Sequence, residues 1–164
     1  MAPELSHIDE HGRASMVDVT GKPATLRRAE ARAMVIGVGD LGDLIGGEQE
    51  LFGGARVAGL AAAKLTSRLI PLCHPLPLTD CSVEFELGAG TVEVRAITET
   101  IGQTGVEMEA LTACAAAALS IVAGLGSARP AAVIEGLTLW EKTGGKSGHW
   151  RRDVVSGTVL QVSE

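Results

Sequence analysis

Aromatic side chains are nearly missing from this sequence of 164 residues: two Phe, two Trp and no Tyr, 2% of the chain, against 46% hydrophobic residues overall. A core without rings has to be built from Ala, Val, Leu and Ile, with 21 glycines letting backbones come close. A core so poor in large side chains also predicts that further surface is buried by association with copies of the same chain. Positive charge is in short supply too, 14 Lys and Arg against 20 acids, for a net charge of −6. That balance excludes a general nucleic-acid binder, which needs a basic face. It leaves room for one small phosphorylated ligand, which needs only a local cluster. No run of about 18 apolar residues free of Gly reads as a membrane span; residues 110–125 come nearest and are too short and too rich in Ala. The polar start Met1-Ala2-Pro3-Glu4 shows no secretory signal. Cysteines 73, 81 and 114 are odd in number and lack C-x-x-C spacing, which fits reduced thiols in a cytoplasm. Repeats and domain-splitting linkers are absent as well, and the length suits one domain with a real core.

The stretch from Arg56 to Leu78 is the most informative part of what remains. An Ala-rich helix over about 50–68 carries Arg56, Lys64 and Arg68, with the last two four apart on one face. Pro71 and Pro75 then stop the helix and leave Cys73 and His74 in a constrained loop, which reads as one wall of a pocket. Around it, residues 1–14 read as a flexible arm, Ser15–Thr20 as a strand, and Leu26–Val35, rich in Arg, Ala and Glu, as a helix. The segment Gly37-Val38-Gly39-Asp40-Leu41-Gly42 matches G-x-G-x-x-G. A dinucleotide site needs a strand before that motif and an acid about 20 residues on; a helix former precedes it here and residues 57–63 hold no acid. A mobile loop between helices over 37–47 is the better account.

Residues 82–87 and 91–97 alternate about a Gly88-Ala89-Gly90 turn, predicting an antiparallel hairpin with an acidic outer face and an inner face of Val, Phe, Leu and Ile. A third helix opens near Thr104, a candidate N-cap, and is apolar on every side from Leu111 to Leu125. Glu107 and Glu109 lie at its mouth, as partners of the helix dipole or as functional groups. A strand over 133–140 follows, then Thr143-Gly144-Gly145-Lys146-Ser147-Gly148, a Lys among glycines that is no P-loop because Trp140 stands where a Gly is needed. Residues 154–162 read as a short strand or tail. The pattern is α+β with an antiparallel sheet.

These pieces are chemically complementary. Arg56, Lys64, Lys146 and His74 suit phosphate oxygens, and Glu107 and Glu109 suit the donor edge of a base or guanidine-like group. Together they fit a nucleotide or a pterin phosphate. A metal site at Cys73 and His74 is disfavoured because adjacent residues rarely ligate one ion. A nucleophilic pair is disfavoured because sequence neighbours point apart.

The segments at 16–20, 55–59, 63–64, 69–76, 104–112 and 144–148 stand in the order and spacing of one family. Over about 5–148 the chain resembles cyclic pyranopterin monophosphate synthase, the molybdenum cofactor biosynthesis protein C. The resemblance implies a ferredoxin-like α+β fold over 15–148, an arm before it and a strand or tail over 149–164. It implies a homohexamer built as a trimer of dimers, with active sites at dimer interfaces. It also implies conversion of cyclised dihydro-GTP to cyclic pyranopterin monophosphate with pyrophosphate release, and no metal or organic cofactor. Carried over by position, Leu72, Cys73, His74, Met108 and Glu109 are the substrate-binding residues, with Arg56, Lys64 and Lys146 as the basic groups. The family's catalytic Asp falls at Ala123 and its Lys, three residues on, at Gly126; a further family Lys falls at Glu48. The resemblance thus implies either an enzyme with impaired turnover or a non-catalytic paralogue that binds the phosphorylated pterin precursor or assembles with an active relative.

Overall fold

In the computed structural model, which describes residues 7–41, 47–153 and 156–162, the segment expected as a first helix is the central strand β1, Thr25–Ile36. Propensity is overridden there by pairing on both sides. The strand runs antiparallel to β3 (Thr91–Gly102) and to β4 (Val133–Thr143). Its small alternate residues Ala29, Ala31, Ala33 and Val35 are buried. Arg28, Glu30 and Arg32 are absorbed on the other face. Glu30, 1% exposed, accepts from Arg95 at 2.7 Å and from Arg32 at 2.8 Å, with Arg28 at 3.8 Å. Burial pushes the Glu30 carboxyl up, but the Arg95 and Arg32 hydrogen bonds outweigh it and hold it below the ordinary carboxylate range.

The hairpin of β2 (Asp80–Gly88) and β3 turns at residues 89–90, as its alternation predicts. Val83, Val92 and Val94 are buried on the inner face, while Ile97 shares the outer face with Glu30, its register partner on β1. Among the described residues the strands form one six-stranded antiparallel sheet, ordered β2-β3-β1-β4-β5-β6. Here β5 is His149–Arg152 and β6 is Val159–Val162. The first four strands and the two long helices follow β-α-β-β-α-β in the order 2-3-1-4. Two interleaved split β-α-β units give this arrangement, the ferredoxin-like fold.

The helices α1 (Gly47–Lys64) and α3 (Glu107–Gly124) cover one face. A four-residue helix α2, Thr66–Leu69, follows a break at Leu65, so Lys64 and Arg68 do not share one continuous helix. The two long helices approach closely because Gly59 has no side chain: a Cβ there would meet Ala113 O and Val83 Cγ2 at 2.9 Å each. Ala110, Ala113, Ala117 and Ala118 on α3 are buried beneath, so small residues do the work that rings would do elsewhere. The helix is not buried all round. Leu119 on α3 is 61% exposed and Val57 on α1 is 66% exposed, so each long helix leaves an apolar side chain uncovered. Although α3 is long and apolar enough to cross a membrane, it packs on the sheet.

Other expectations change. Residues 15–19 are irregular rather than a strand, having no neighbour to pair with beyond the isolated bridge Ile8–Ala14. The N-cap of α3 is Val106, not Thr104, with no side-chain cap. The glycine-rich segment after Ile36 connects a strand to a helix, not two helices; residues 42–46 and the Glu48 side chain lie outside the described residues.

Candidate functional site

The prolines and the mouth of α3 meet at one end of β3. Two buried threonines on its inner face hold both: Thr100 Oγ1 donates to Pro77 O at 2.7 Å and Thr98 Oγ1 donates to Val106 O at 2.9 Å. The loop closes further as Cys73 N–H donates to Ile70 O at 3.0 Å and Ile70 N–H to Thr66 O at 2.8 Å. A cavity of about 430 Å³ results. Leu72, Cys73, His74 and Leu76 form one wall; Glu107, Met108 and Glu109 form the other. The structure therefore brings together Leu72, Cys73, His74, Met108, Glu109 and Glu107. Two residues of the N-terminal segment, His7 and Val17, also line it. His7 has a buried Nδ1 without a hydrogen-bond partner, and the arm is held in place where Ser15 N–H donates to His7 O at 2.9 Å. No sequence signal singled out His7.

A second hollow of about 950 Å³ adjoins the first and shares Thr104, Gly105, Glu107 and Lys142 with it. Lys146 lies here, with Lys22 and Arg27. Arg27 carries no sequence signal of its own, because the composition of its strand favours a helix. Its Nε donates to Gly102 O at 3.3 Å, and its guanidinium lies against the glycine loop. A Cβ on Gly145, whose φ is +76°, would come within 1.7 Å of Arg27 Nη1, and one on Gly144 within 2.2 Å of Leu26 O. The double glycine is required by this close approach as well as by its backbone. The two hollows form one cleft with a cation-rich lobe and an acid lobe.

Burial is the chief influence in the acid lobe. Glu109 is 4% exposed; burial, aided by the Glu107 charge and opposed by a hydrogen bond from its own backbone N–H, pushes its carboxyl up to about 7. A carboxyl poised there exchanges protons near neutrality. The Cys73 thiol is pushed up by burial and by Glu109 and Glu107, so it is no activated nucleophile. Among the described residues no three His, Cys, Asp or Glu side chains cluster as metal ligands, and all three cysteines are free thiols.

Arg56 and Lys64 lie outside both lobes. Arg56 Nε donates to Val83 O at 3.0 Å and its guanidinium sits 5.4 Å from the Phe85 ring centre, on the β2 side of α1; Lys64 is exposed at that helix's end. Ala123 and Gly126 are exposed at the opposite end of α3 from Glu109. Fourteen residues of helix at 1.5 Å each put Ala123 roughly 21 Å from Glu109. Gly126 has φ +56° and lies beyond the last residue of α3, where it opens a short 3-10 helix, Gly126–Ala131.

The sequence profile of the MoaC family matches residues 16–145, a span that holds α3 and most of the lining of both lobes, with His7 before it and Lys146 just after it. The chain belongs to the MoaC family. A protein of Desulfitobacterium hafniense named cyclic pyranopterin monophosphate synthase is 46% identical over 155 residues, covering 92% of this chain and 95% of its own length. One of the same name from a Nocardioides species is 46% identical over 155 residues, covering 90% and 95%. As in those relatives, nearly the whole chain is involved in the likeness. The MoaC-family cleft thus has a wall at 72–76, a wall at 107–109 and a basic lobe around Arg27 and Lys146.

Proposed function

We propose that this chain acts in molybdenum cofactor biosynthesis at the step its relatives are named for. It takes cyclised dihydro-GTP in the two-lobed cleft and forms cyclic pyranopterin monophosphate with release of pyrophosphate, at a much reduced rate. The observation that carries the reading is the division of the cleft. Lys22, Arg27 and Lys146 line one lobe, suited to a phosphate chain, and Glu107 and Glu109 line the other, suited to the N–H edge of a reduced pterin. Leu72 and Met108 supply apolar walls for a ring, and His74 a donor. Every interaction called for comes from side chains, so no metal or organic cofactor enters, and the setting is cytoplasmic.

The reduced rate follows from Ala123 and Gly126, neither of which can carry a proton, where family members have Asp and Lys. Those positions lie roughly 21 Å from Glu109 along α3. They can serve a cleft only when a second copy brings them to it, as in a homohexamer with sites between protomers. The uncovered apolar side chains Leu119 and Val57 support such contacts. Arg56 and Lys64, outside this chain's own cleft, contact a phosphate only across the same kind of interface. Glu109, titrating at about 7, is the surviving proton carrier within the cleft.

General acid and base groups contribute about 10²–10⁴ each, so turnover is at least a hundredfold below that of an intact relative. The test follows pyrophosphate release from cyclised dihydro-GTP by this protein, alone and after Ala123→Asp with Gly126→Lys. Full activity in the unmodified protein refutes the impaired reading. A second reading, a non-catalytic paralogue completing an active relative, is favoured by the backbone at Gly126. Its φ of +56° suits Gly and strains Lys, so the chain is built for the residue it has. Retained binding without turnover, and co-purification with a full-length relative, distinguish that reading.

A further inference from the structure

The lobes of the cleft meet at one ion pair, Lys142 from the end of β4 with Glu107 from the first turn of α3. Both residues line both lobes. Among the described lining residues, Glu107 is the sole acid of the cation-rich lobe, and Lys142 is the sole Lys or Arg of the acid lobe. Each is therefore the odd charge in one half, and each is neutralised by the other. Their side chains are only partly covered, 16% exposed for Lys142 and 25% for Glu107, so the pair is open to competition from a charged ligand. Gly105 gives the carboxylate its place: a Cβ there would stand 1.9 Å from Glu107 Oε2.

We propose that Lys142 is a positioning residue that changes partners when the phosphate lobe fills. A phosphate chain carries more negative charge than one carboxylate, and lies among Lys22, Arg27 and Lys146, so it draws the Lys142 ammonium away from Glu107. A Lys suits this because its charge is compact, with three donors on a flexible stem. The released Glu107 carboxylate then accepts hydrogen bonds from the N–H edge of a ring in the acid lobe. No bond is made or broken and no proton is required to move; two charges exchange partners. The consequence is positive coupling between the lobes: phosphate in one strengthens ring binding in the other, and the reverse by the same factor. This inference rests on the cleft being the site for a phosphorylated pterin precursor.

The test is calorimetric titration of the full-length protein with pyrophosphate, with guanosine as the ring probe, and with guanosine at saturating pyrophosphate. Lys142→Met is expected to weaken pyrophosphate binding about ten- to hundredfold, the worth of a charge-assisted hydrogen bond, and Lys142→Arg to recover most of it. Glu107→Gln is expected to act in the opposite direction and tighten pyrophosphate, because Lys142 is then free. A pair that merely fastens strand to helix would weaken binding and lower the melting temperature in both variants, which would overturn the exchange. In the unmodified protein pyrophosphate is expected to tighten guanosine severalfold, an effect absent from Lys142→Met and Glu107→Gln. Normal pyrophosphate affinity in Lys142→Met, or guanosine affinity indifferent to pyrophosphate, overturns the exchange while leaving the cleft as a phosphate site. Failure of the unmodified protein to bind pyrophosphate removes the site reading, and the exchange with it.

Discussion

Replacing Glu109 by Gln tests whether burial governs the acid lobe. An ordinary Glu ionises near 4.5, and the Glu109 carboxyl near about 7. At about 1.4 kcal/mol per pH unit, keeping this side chain ionised costs the fold roughly 3 kcal/mol once the pH is above both values. The sign follows from the direction of the shift. The folded protein prefers the protonated carboxyl, so its contribution to stability is fully present below pH 4.5, declines as the pH rises, and is gone above about 7. Gln copies the shape of the protonated group and carries no charge at any pH. Glu109→Gln is therefore expected to match the unmodified protein near pH 4.5 and to be more stable by roughly 3 kcal/mol at pH 8.5. Chemical denaturation at both pH values, at one protein concentration, measures the difference. Equal stabilisation at both pH values, or none at pH 8.5, would show that Glu109 is solvated or paired and would refute the reasoning. In the proposed function Glu109 is the proton carrier within the cleft, so the same substitution is expected to lower any pyrophosphate release at least a hundredfold.

Four further outcomes are expected. Glu30→Ala leaves three arginines facing a buried gap and costs about 3–5 kcal/mol in denaturant titration. Glu30 contributes stability above pH 4.5 that is lost as the pH falls through its depressed value, so Glu30→Gln gives a shallower loss of stability in acid. Gly145→Ala forces the Arg27 guanidinium aside, lowering stability by about 1 kcal/mol or more and weakening pyrophosphate binding, as thermal melts and calorimetry report. Cys73 reacts with a disulfide reagent more slowly at pH 7 than an unhindered thiol; Glu107→Gln speeds it by removing one of the charges that hold the thiol protonated.

Much of the architecture was legible wherever the residue pattern is local. The hairpin announces itself by period-two alternation about a glycine turn, and its only misplaced member is Ile97, which faces out. The loop at Cys73 and His74 and the carboxylates Glu107 and Glu109 stand out because prolines and an apolar helix mark them, whereas Leu72 and Met108 come only with the family resemblance. Strand β1 was not legible, because Ala, Arg and Glu satisfy helix propensity locally. What makes it a strand is pairing with β3 and β4, far along the chain. Arg27 and Lys142 were hidden for the same reason: they share a lobe because Arg28 lies opposite Thr143 in the β1–β4 register. His7 reaches the acid lobe only because the arm folds back. Arg56 attracted attention as a cation among apolar residues, yet its guanidinium is engaged by the Val83 carbonyl and the Phe85 ring. Charge alone does not tell a pocket from an edge.

The two ends of α3 carry unlike duties. One end holds Glu107, Met108 and Glu109; the other, about 21 Å away, holds Ala123 and Gly126, where the proposed reading sets the proton-transfer pair of an intact enzyme. If each cleft is completed by the far end of a neighbour's α3, damage at one end never touches the cleft that the same chain encloses. Pair this chain with an intact relative, and one of the two shared sites has both halves: this chain's pocket and the relative's Asp and Lys. The other site has a pocket and nothing to drive it. A mixed assembly would then work at half occupancy through the damaged subunit's own pocket, so a mutation that silences a homo-oligomer is recessive in company.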